Sequence, residues 1–431
     1  MLKLILKSLW ARRRRNGWLL AELILVTVLT WYIADPVFVL SYNRSLPLGY
    51  NPDGLLVASL NNLPSKALGY SEDEADSLHL MQNLNRLLRE LRNHPDVQSA
   101  APLVTFSYPG SEGNSSTTMS YDSINSSVSV FYFIPRSGYF ETFGFGTLEE
   151  RTLQDLDNMD FQEKEVIVTD ELAHKLARNT TLTGKQMYES YEQDTIFYHV
   201  KAMVEKVRST SFDQGRPACF QPQLDVSAED ILDNGKLLIR LRPGISEKRF
   251  LHDFRPWAGR HLRAGNLYVR DAQTYRGQLE KLEYSYGITN KYRMNVMLAV
   301  FFLVNLALGV TGTFWLQTRS RCEEVGIMLS YGASSNTICR QLMGEAAILA
   351  SFAWLVGCLI YLQYGIVEGS WYQQGYPGAF YWINHFWLHY IAVSLIVYIV
   401  IISVVLLGVF IPAYKISRIP PTEALRDIIT I

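Results

Sequence analysis

Two glycine–lysine pairs, Gly184-Lys185 and Gly235-Lys236, are the first residues in this sequence to invite chemistry, because such a pair closes a phosphate-binding loop. That loop needs a further glycine five residues before the second one, so that backbone N–H groups can cradle the phosphates. Neither pair has it. His385 and His389 stand at i, i+4 on one helix face, a spacing that can hold zinc. The residues between them, Phe386-Trp387-Leu388, lack the glutamate of a metalloprotease helix, and no third ligand lies near in sequence. No nucleophile–base pair, metal cluster or paired-carboxylate arrangement is identifiable from spacing. The expectation is a chain with no catalytic, cofactor-binding or metal residues of its own, whose function lies in the arrangement of its elements.

Those elements are sharply divided. The 431 residues exceed the usual single-domain size, so at least two units are expected. A formal net charge of −1 argues against a nucleic-acid partner drawn by bulk electrostatics. Mean hydropathy near zero hides four apolar runs and a long polar middle. Of the four cysteines only Cys219 lies in that middle, so no internal disulfide staples it.

Between the second and third apolar runs lies a short polar elbow, Cys322 to Glu345. Glu323 and Glu324 suit a first helical turn, where acidic groups oppose the helix dipole. Val325 and Leu329, then Ile338 and Leu342, fall at helical spacing, which predicts two short amphipathic helices. Gly332 can end the first in the left-handed conformation, and Ser334 or Ser335 can cap the second.

The apolar runs are Gly17 to Ala34, Met294 to Leu316, Ala346 to Leu362 and Phe386 to Ile411, each about long enough to span a bilayer. The first lengthens if its helix continues beyond Pro36 to Leu40. It follows a basic segment, Lys3 to Arg15, and no small-residue cleavage site follows it, so removal as a signal peptide is not expected. Glu22 reads as interfacial, with a polar contact to a neighbouring helix as the alternative. Positive charge sets the orientation: the N-terminus carries six basic residues, the elbow region Arg319, Arg321 and Arg340, and the tail Lys415, Arg418 and Arg426. The loop Val367 to Asn384 has none and is crowded with Trp371, Tyr372, Tyr376, Tyr381 and Trp382. Both termini are therefore expected in the cytosol.

The polar middle, Asp35 to Tyr292, contains no spanning run and reads as an α+β domain. Leu55 to Leu60 is a strand. Ser71-Glu-Asp-Glu74 reads as a capping box for a helix with Leu80, Leu84, Leu87 and Leu91 on one face, and Val97 to Val104 as the next strand. Ser107 to Ser127 reads as a mobile loop or a hairpin. Val128 to Ile134, Glu165 to Thr169, Val200 to Val207 and a stretch from Leu237 read as further strands. Tyr275, Leu279, Leu282 and Tyr286 step at helical spacing and read as a stalk leading into the second span, with a surface helix packed on the domain as the alternative.

The elbow resembles one family. Glu324, Gly326, Ile327, Leu329, Gly332, Ala333, Ser334, Ile338, Gln341 and Glu345 match the cytosolic elbow of macrolide-exporter-type (MacB/FtsX-like, type VII) permeases of ATP-binding cassette systems. The tail residues Pro421, Glu423, Ala424, Leu425 and Arg426 match that family's closing segment. The Ser137 to Gly144 segment resembles its Tyr-Phe helix turn, and the resemblance is looser elsewhere in the middle. It implies a membrane protein of four transmembrane α-helices with a large α+β extracytoplasmic domain between helices 1 and 2, in a bacterial inner membrane. The corresponding division is 1–40, first span with its basic N-terminus; 41–292, periplasmic domain with an inserted subdomain at about 145–235; 293–317, second span; 318–345, coupling elbow; 346–365, third span; 366–385, short periplasmic loop; 386–411, fourth span; and 412–431, cytosolic tail. In a bacterial protein the glycosylation-type triplets at Asn43, Asn114, Asn125 and Asn179 are chance occurrences.

The resemblance implies a non-enzymatic permease subunit that carries the motion of a separate ATPase across the membrane and drives efflux of a periplasmic substrate. ATP and magnesium would reside in that ATPase and no cofactor in this chain, which departs from the macrolide exporter, whose ATPase is fused. Implied partners are the ATPase, a second permease copy (identical or paralogous), a periplasmic adaptor with an outer-membrane channel, and the lipid bilayer, but no nucleic acid. The alternative is a scaffold or sensor of the same fold that regulates a cell-wall hydrolase or a peptide-sensing kinase.

Overall fold

A computed structural model describes residues 13–148, 151–178, 181–191, 194–319, 322–373 and 386–420. Its elements, in chain order, are α1 (Arg13–Ser45), β1 (Leu55–Asn62), α2 (Ser77–Arg92), β2 (Val97–Leu103), β3 (Ser115–Tyr121), β4 (Ile124–Phe133), α3 (Tyr139–Phe143), α4 (Leu153–Asn158), β5 (Glu165–Thr169), α5 (Asp170–Ala177), β6 (Gln186–Tyr191), β7 (Asp194–Val204), β8 (Ala218–Pro222), α6 (Ala228–Asn234), β9 (Lys236–Leu241), α7 (Glu247–His261), β10 (Arg263–Ala264), β11 (Leu267–Thr274), α8 (Tyr275–Ser285), α9 (Ile288–Arg319), α10 (Cys322–Ser330), α11 (Ser335–Gln373) and α12 (Phe386–Ile416). They form two compact units: Met1–Tyr42 with Thr289–Ile431, and Asn43–Ile288.

Four helices of the first unit are long and apolar enough to cross a membrane: Gly17–Ser45, Ile288–Leu316, Ser335–Val367 and Phe386–Ile416. The first continues through Pro36 to Ser45. Where these helices cross, glycines let side chains of a neighbour approach closely, as van der Waals packing within a membrane requires. A Cβ at Gly357 would lie 2.7 Å from Thr27 Cγ2, and one at Gly408 3.0 Å from Thr311 Oγ1. Gly309 in the same way receives the Glu22 carboxylate, which a Cβ there would strike. Glu22 thus makes the contact with a neighbouring helix that a purely interfacial position would not provide.

The second unit combines a five-stranded sheet, ordered β10-β11-β1-β9-β2, with a closed barrel, β3-β4-β8-β5-β7-β6. One sheet face is covered by α2, α6 and α7, which bury Leu80, Leu84, Leu87, Ile231, Phe250 and Phe254 against Leu56, Leu237 and Ile239. Asp76, accepting from the His79 N–H, caps α2; Ser71 precedes only a short 3₁₀ turn, Glu72–Glu74. The capping box is displaced because Asp76 offers the carboxylate that the helix's unpaired amides need. The stretch expected as a loop or hairpin from Ser107 to Ser127 is the β3–β4 hairpin, in register from Ser115↔Val130 to Tyr121↔Ile124.

The barrel strands lie between Ser115 and Pro222, so the inserted unit begins before the 145 expected and ends before 235. Its first hairpin is rich in Ser and Thr and turns few apolar side chains inward, chiefly Met119, Val128 and Val130, so hydrophobic alternation is faint there. Barrel and sheet share a second core rich in aromatic rings. Tyr139, Phe140, Phe143, Phe145 and Phe220 meet one another and the sheet residues Leu55, Val57 and Leu238.

Charge is buried at this junction. Arg240 of β9 donates to four carbonyl oxygens, of Thr142 (3.0 Å), Asp53 (2.7 Å), Asn51 (2.8 Å) and Phe143 (2.8 Å). Burial pulls its guanidinium down to about 10, which leaves it charged at neutral pH. Arg208, 1 % exposed, donates to the carbonyls of Leu46, Ser211 and Asp213. Asp157 accepts from the backbone N–H groups of Phe140 (3.0 Å) and Glu141 (2.8 Å). Burial pushes this carboxyl up to about 6, against the lowering effect of those two amides.

Candidate functional site

The elbow is built from two helix ends and one glycine. α10 places Glu323 and Glu324 in its first turn and turns Val325 and Gly326 inward. Its last turn closes with Ala333 N–H donating to Met328 O (3.0 Å) and Gly332 N–H to Leu329 O (3.0 Å). That pair of bonds is the helix stop in which the residue after the cap turns left-handed, and Gly332 does so at φ 88°. A Cβ there would meet open space, so the requirement for glycine comes from the backbone alone. Two residues later the Ser334 hydroxyl accepts from the Thr337 N–H (3.3 Å), while Ser334 O accepts from Thr337 N–H and Ile338 N–H. The next helix starts at Ser335.

That next helix is the main difference from expectation. In place of a second short helix, α11 runs without a break for 39 residues, from the elbow to Gln373. Ile338, Gln341, Leu342 and Glu345 are therefore the first turns of the third span itself. Gly344, beside Glu345, stays within the helix, and Ala346 and Ala350 continue the same buried stripe.

The site residues divide by exposure. Val325, Ile338, Leu342 and Ala346 are buried in the core of the helical unit, with Leu329 and Ala333 packed against them. Gly326 and Glu345 are buried as well, and Gln341 is half-buried. Glu324, Ile327, Gly332 and Ser334 face outward, joined by Tyr331, 89 % exposed, and Arg340. The outward surface is thus acidic at one end, basic at the other and apolar between.

The other candidates land elsewhere. Tyr275, Leu279 and Leu282 are buried in the α+β unit, as a helix packed on that domain would have them, and Tyr275 and Leu279 join the aromatic core. α8 ends at Ser285, Gly287 turns left-handed at φ 72°, and the second span starts anew at Ile288; only Tyr286 is exposed. The four residues do have helical spacing, but the apolar stripe they make faces the sheet. Gly184 and Lys185 lie in the turn into β6, while Gly235 ends α6 and Lys236 opens β9 with its ammonium on the Tyr108 hydroxyl (2.8 Å). Pro421, Glu423, Ala424, Leu425, Arg426 and His385 lie outside the described residues. His389 meets a group that spacing could not supply, Asp35 of α1, at 2.6 Å. Among the described residues no group of three or more His, Cys, Asp or Glu side chains could hold a metal.

Residues 296–421 match the family described as FtsX-like permease C-terminal. No curated protein matches the chain by sequence. Among solved structures, a low likeness is found to the periplasmic region of MacB from Actinobacillus actinomycetemcomitans: 12 % identity and TM-score 0.29, over 55 % of this chain and 94 % of that one. The extracellular domain of the noncanonic ABC-type transporter YknZ from Gram-positive bacteria gives 13 % identity and TM-score 0.27, over 50 % of this chain and 100 % of that one. A domain of a protein named as a permease from Porphyromonas gingivalis gives 14 % identity and TM-score 0.33, over 52 % and 92 %.

Proposed function

From the match of residues 296–421 to the FtsX-like permease C-terminal family, we propose that the chain is the permease subunit of an ATP-binding cassette system that works by transmitting motion. A separate ATPase docks on the outward surface of the elbow, around Glu324, Ile327, Tyr331 and Arg340. Its closure displaces the elbow, and the displacement travels along the spans to drive the α+β unit, which acts outside the cytosol to expel a periplasmic substrate. Two permease copies work with two ATPase subunits, and both chain termini lie in the cytosol of a bacterial inner-membrane protein. ATP and magnesium belong to the partner.

The observation that carries this reading is the continuity of α11. At about 1.5 Å per residue its 39 residues make a rod of about 58 Å, against a hydrocarbon core of about 30 Å. The elbow is therefore one end of the same rigid body as the third span. α10 is held to that end by a glycine stop and a serine cap, and Val325 is buried with Ile338 and Leu342 in one core. A push on α10 must move the span.

The test is co-purification of the ATPase together with ATPase-dependent phenotype, at matched membrane levels, for two elbow variants. Gly332→Val forces a branched residue into the left-handed region at a cost of roughly 1–2 kcal/mol or more, and re-aims α10. Glu324→Lys reverses charge on the docking surface. Both are expected to insert normally; the first should lose phenotype and the second should also lose the co-purifying ATPase. Full activity in both would reduce the elbow to an ordinary turn and end the proposal.

A further inference from the structure

In the helical unit, a carboxylate and an imidazole are buried together where composition alone leads one to expect only apolar contact. Asp35 lies in α1, ten residues before that helix ends, and His389 in the first turn of α12. Their Oδ1 and Nε2 atoms are 2.6 Å apart, with the imidazole 0 % and the carboxylate 11 % exposed. The Tyr361 hydroxyl of α11 lies 3.5 Å from the other carboxylate oxygen. Three spans thus meet at one polar point.

Around that point the same three helices are tied again. Trp31 of α1 donates its indole N–H to the Ser394 hydroxyl of α12 (3.0 Å), and Trp354 of α11 donates to the Ser394 carbonyl (2.9 Å). The Tyr390 hydroxyl of α12 donates to the Cys358 carbonyl of α11 (2.6 Å). The Trp31 ring stacks on Tyr361 at 4.0 Å and on Tyr390 at 5.6 Å. The second span differs: Asn305 and Thr311 donate to carbonyls of their own helix, Phe301 and Ala307, while Met297, Val300, Phe301, Val304 and Leu308 face outward.

We propose that Asp35 and His389 are a positioning pair that fixes the register of spans 1, 3 and 4, so that these three move as one body. The physical reason is the asymmetry of a buried polar pair. With both partners in register the hydrogen bond is made in a low-dielectric site; a slip of either helix leaves a carboxylate or imidazole buried and unpaired, which is strongly unfavourable. An apolar seam tolerates small slips because neighbouring apolar groups are interchangeable. The Asp35–His389 contact does not, and it makes one alignment of the three helices far better than the rest. This assignment rests on the transmission reading for its use, but the pairing can be tested without it.

The experiment measures distances by paired spin labels at the lipid-facing positions Leu25 and Leu395, on the full chain in bilayer discs, with Cys322 and Cys339 changed to serine. The parent should give one narrow distribution. Asp35→Ala and His389→Ala should each broaden it about twofold or split it, because the register is no longer unique. The exchange Asp35→His with His389→Asp should restore the narrow distribution, which a residue that merely fills space would not do. If Asp35→Ala fails to accumulate, Asp35→Asn keeps the shape and should give partial broadening. An unchanged distribution in the single variants, or an exchange variant no narrower than the singles, overturns the proposal. Failure of the transmission reading would show separately, as elbow variants with full activity whose Leu25–Leu395 distance is still governed by Asp35 and His389.

Discussion

The two units bury charged and polar groups by different means. In the α+β unit, Arg240 and Arg208 are surrounded by main-chain carbonyls, and Asp157 by main-chain amides. In the helical unit buried polar side chains also meet one another across helices, Asp35 to His389 and Trp31 to Ser394. The difference follows from the backbone. Loops and strand ends, such as Asn51 to Gly54 and the turn after α3, leave carbonyls unpaired, and a guanidinium with five donors can gather several of them. A long helix uses its own carbonyls internally, so a polar side chain in a bundle needs another side chain or a carbonyl with capacity to spare. Buried charge holds separate pieces of chain together in one unit and sets helix register in the other.

The largest effect that would test this contrast is expected at Arg240. Arg240→Met keeps much of the apolar stem but leaves four inward carbonyls without their donor, at roughly 1–3 kcal/mol each where no water replaces it. The α+β unit should lose about 3 kcal/mol or more, read as a lowered unfolding transition of the full chain in detergent. A loss under about 1 kcal/mol would mean that packing, and not the guanidinium, joins sheet to barrel.

Asp157 should give a smaller effect with a defined sign. Its carboxyl, raised from 3.8 to about 6 by burial, binds its proton more tightly when folded than when unfolded. The contribution of that proton is fully present below about pH 4 and is lost as pH rises through about 6, a change worth about 3 kcal/mol or less for this group. Asp157→Asn removes the titration. The stability difference between variant and parent should therefore shift in favour of the variant from pH 4 to pH 7, and a difference independent of pH would refute the assignment.

The smallest effect belongs to the elbow, where helix ends free a few main-chain groups for a side chain to cap. Ser334→Ala removes a cap worth about 1 kcal/mol. Global unfolding should hardly move, but amide exchange at Thr337 and Ile338 should quicken. Unchanged exchange would show that the Ser334 carbonyl alone secures the turn.

What is legible in the sequence follows the same physical division. The spans and the elbow stop at Gly332 are local signals: an unbroken apolar run, or a glycine followed two residues on by a serine. The start of α11 looks like a separate short helix because the polar Glu345 resembles a boundary, although the helix runs through it and the neighbouring Gly344. The barrel is the harder part. β6 and β7 pair with each other and with distant strands, and residues such as Tyr188, Glu189 and Thr195 alternate weakly, so their strand character depends on partners far along the chain. The Asp35–His389 contact joins residues 354 apart, whereas spacing alone suggests His385 as the neighbour of His389. Arg240 carries a faint sign, a cation in the middle of the apolar strand Leu237 to Leu241, whose environment only the fold can supply.

The place of β9 between β1 and β2 in the five-stranded sheet also sets an order of assembly. β1 pairs with β9 from Leu55↔Arg240 to Ser59↔Lys236, and β2 pairs with the opposite edge of the same strand. As the chain emerges from the ribosome, β1 and β2 are made early but have no common neighbour until residues 236–241 appear. All six barrel strands, ending at Pro222, precede that moment. The barrel can close on its own contacts while the sheet waits, and the loop that the sheet must close then contains an already compact body in place of more than a hundred loose residues. A sheet in which a strand lying between two earlier ones arrives late folds slowly and leaves two edges open to other chains in the meantime. Early closure of the barrel shortens that exposure.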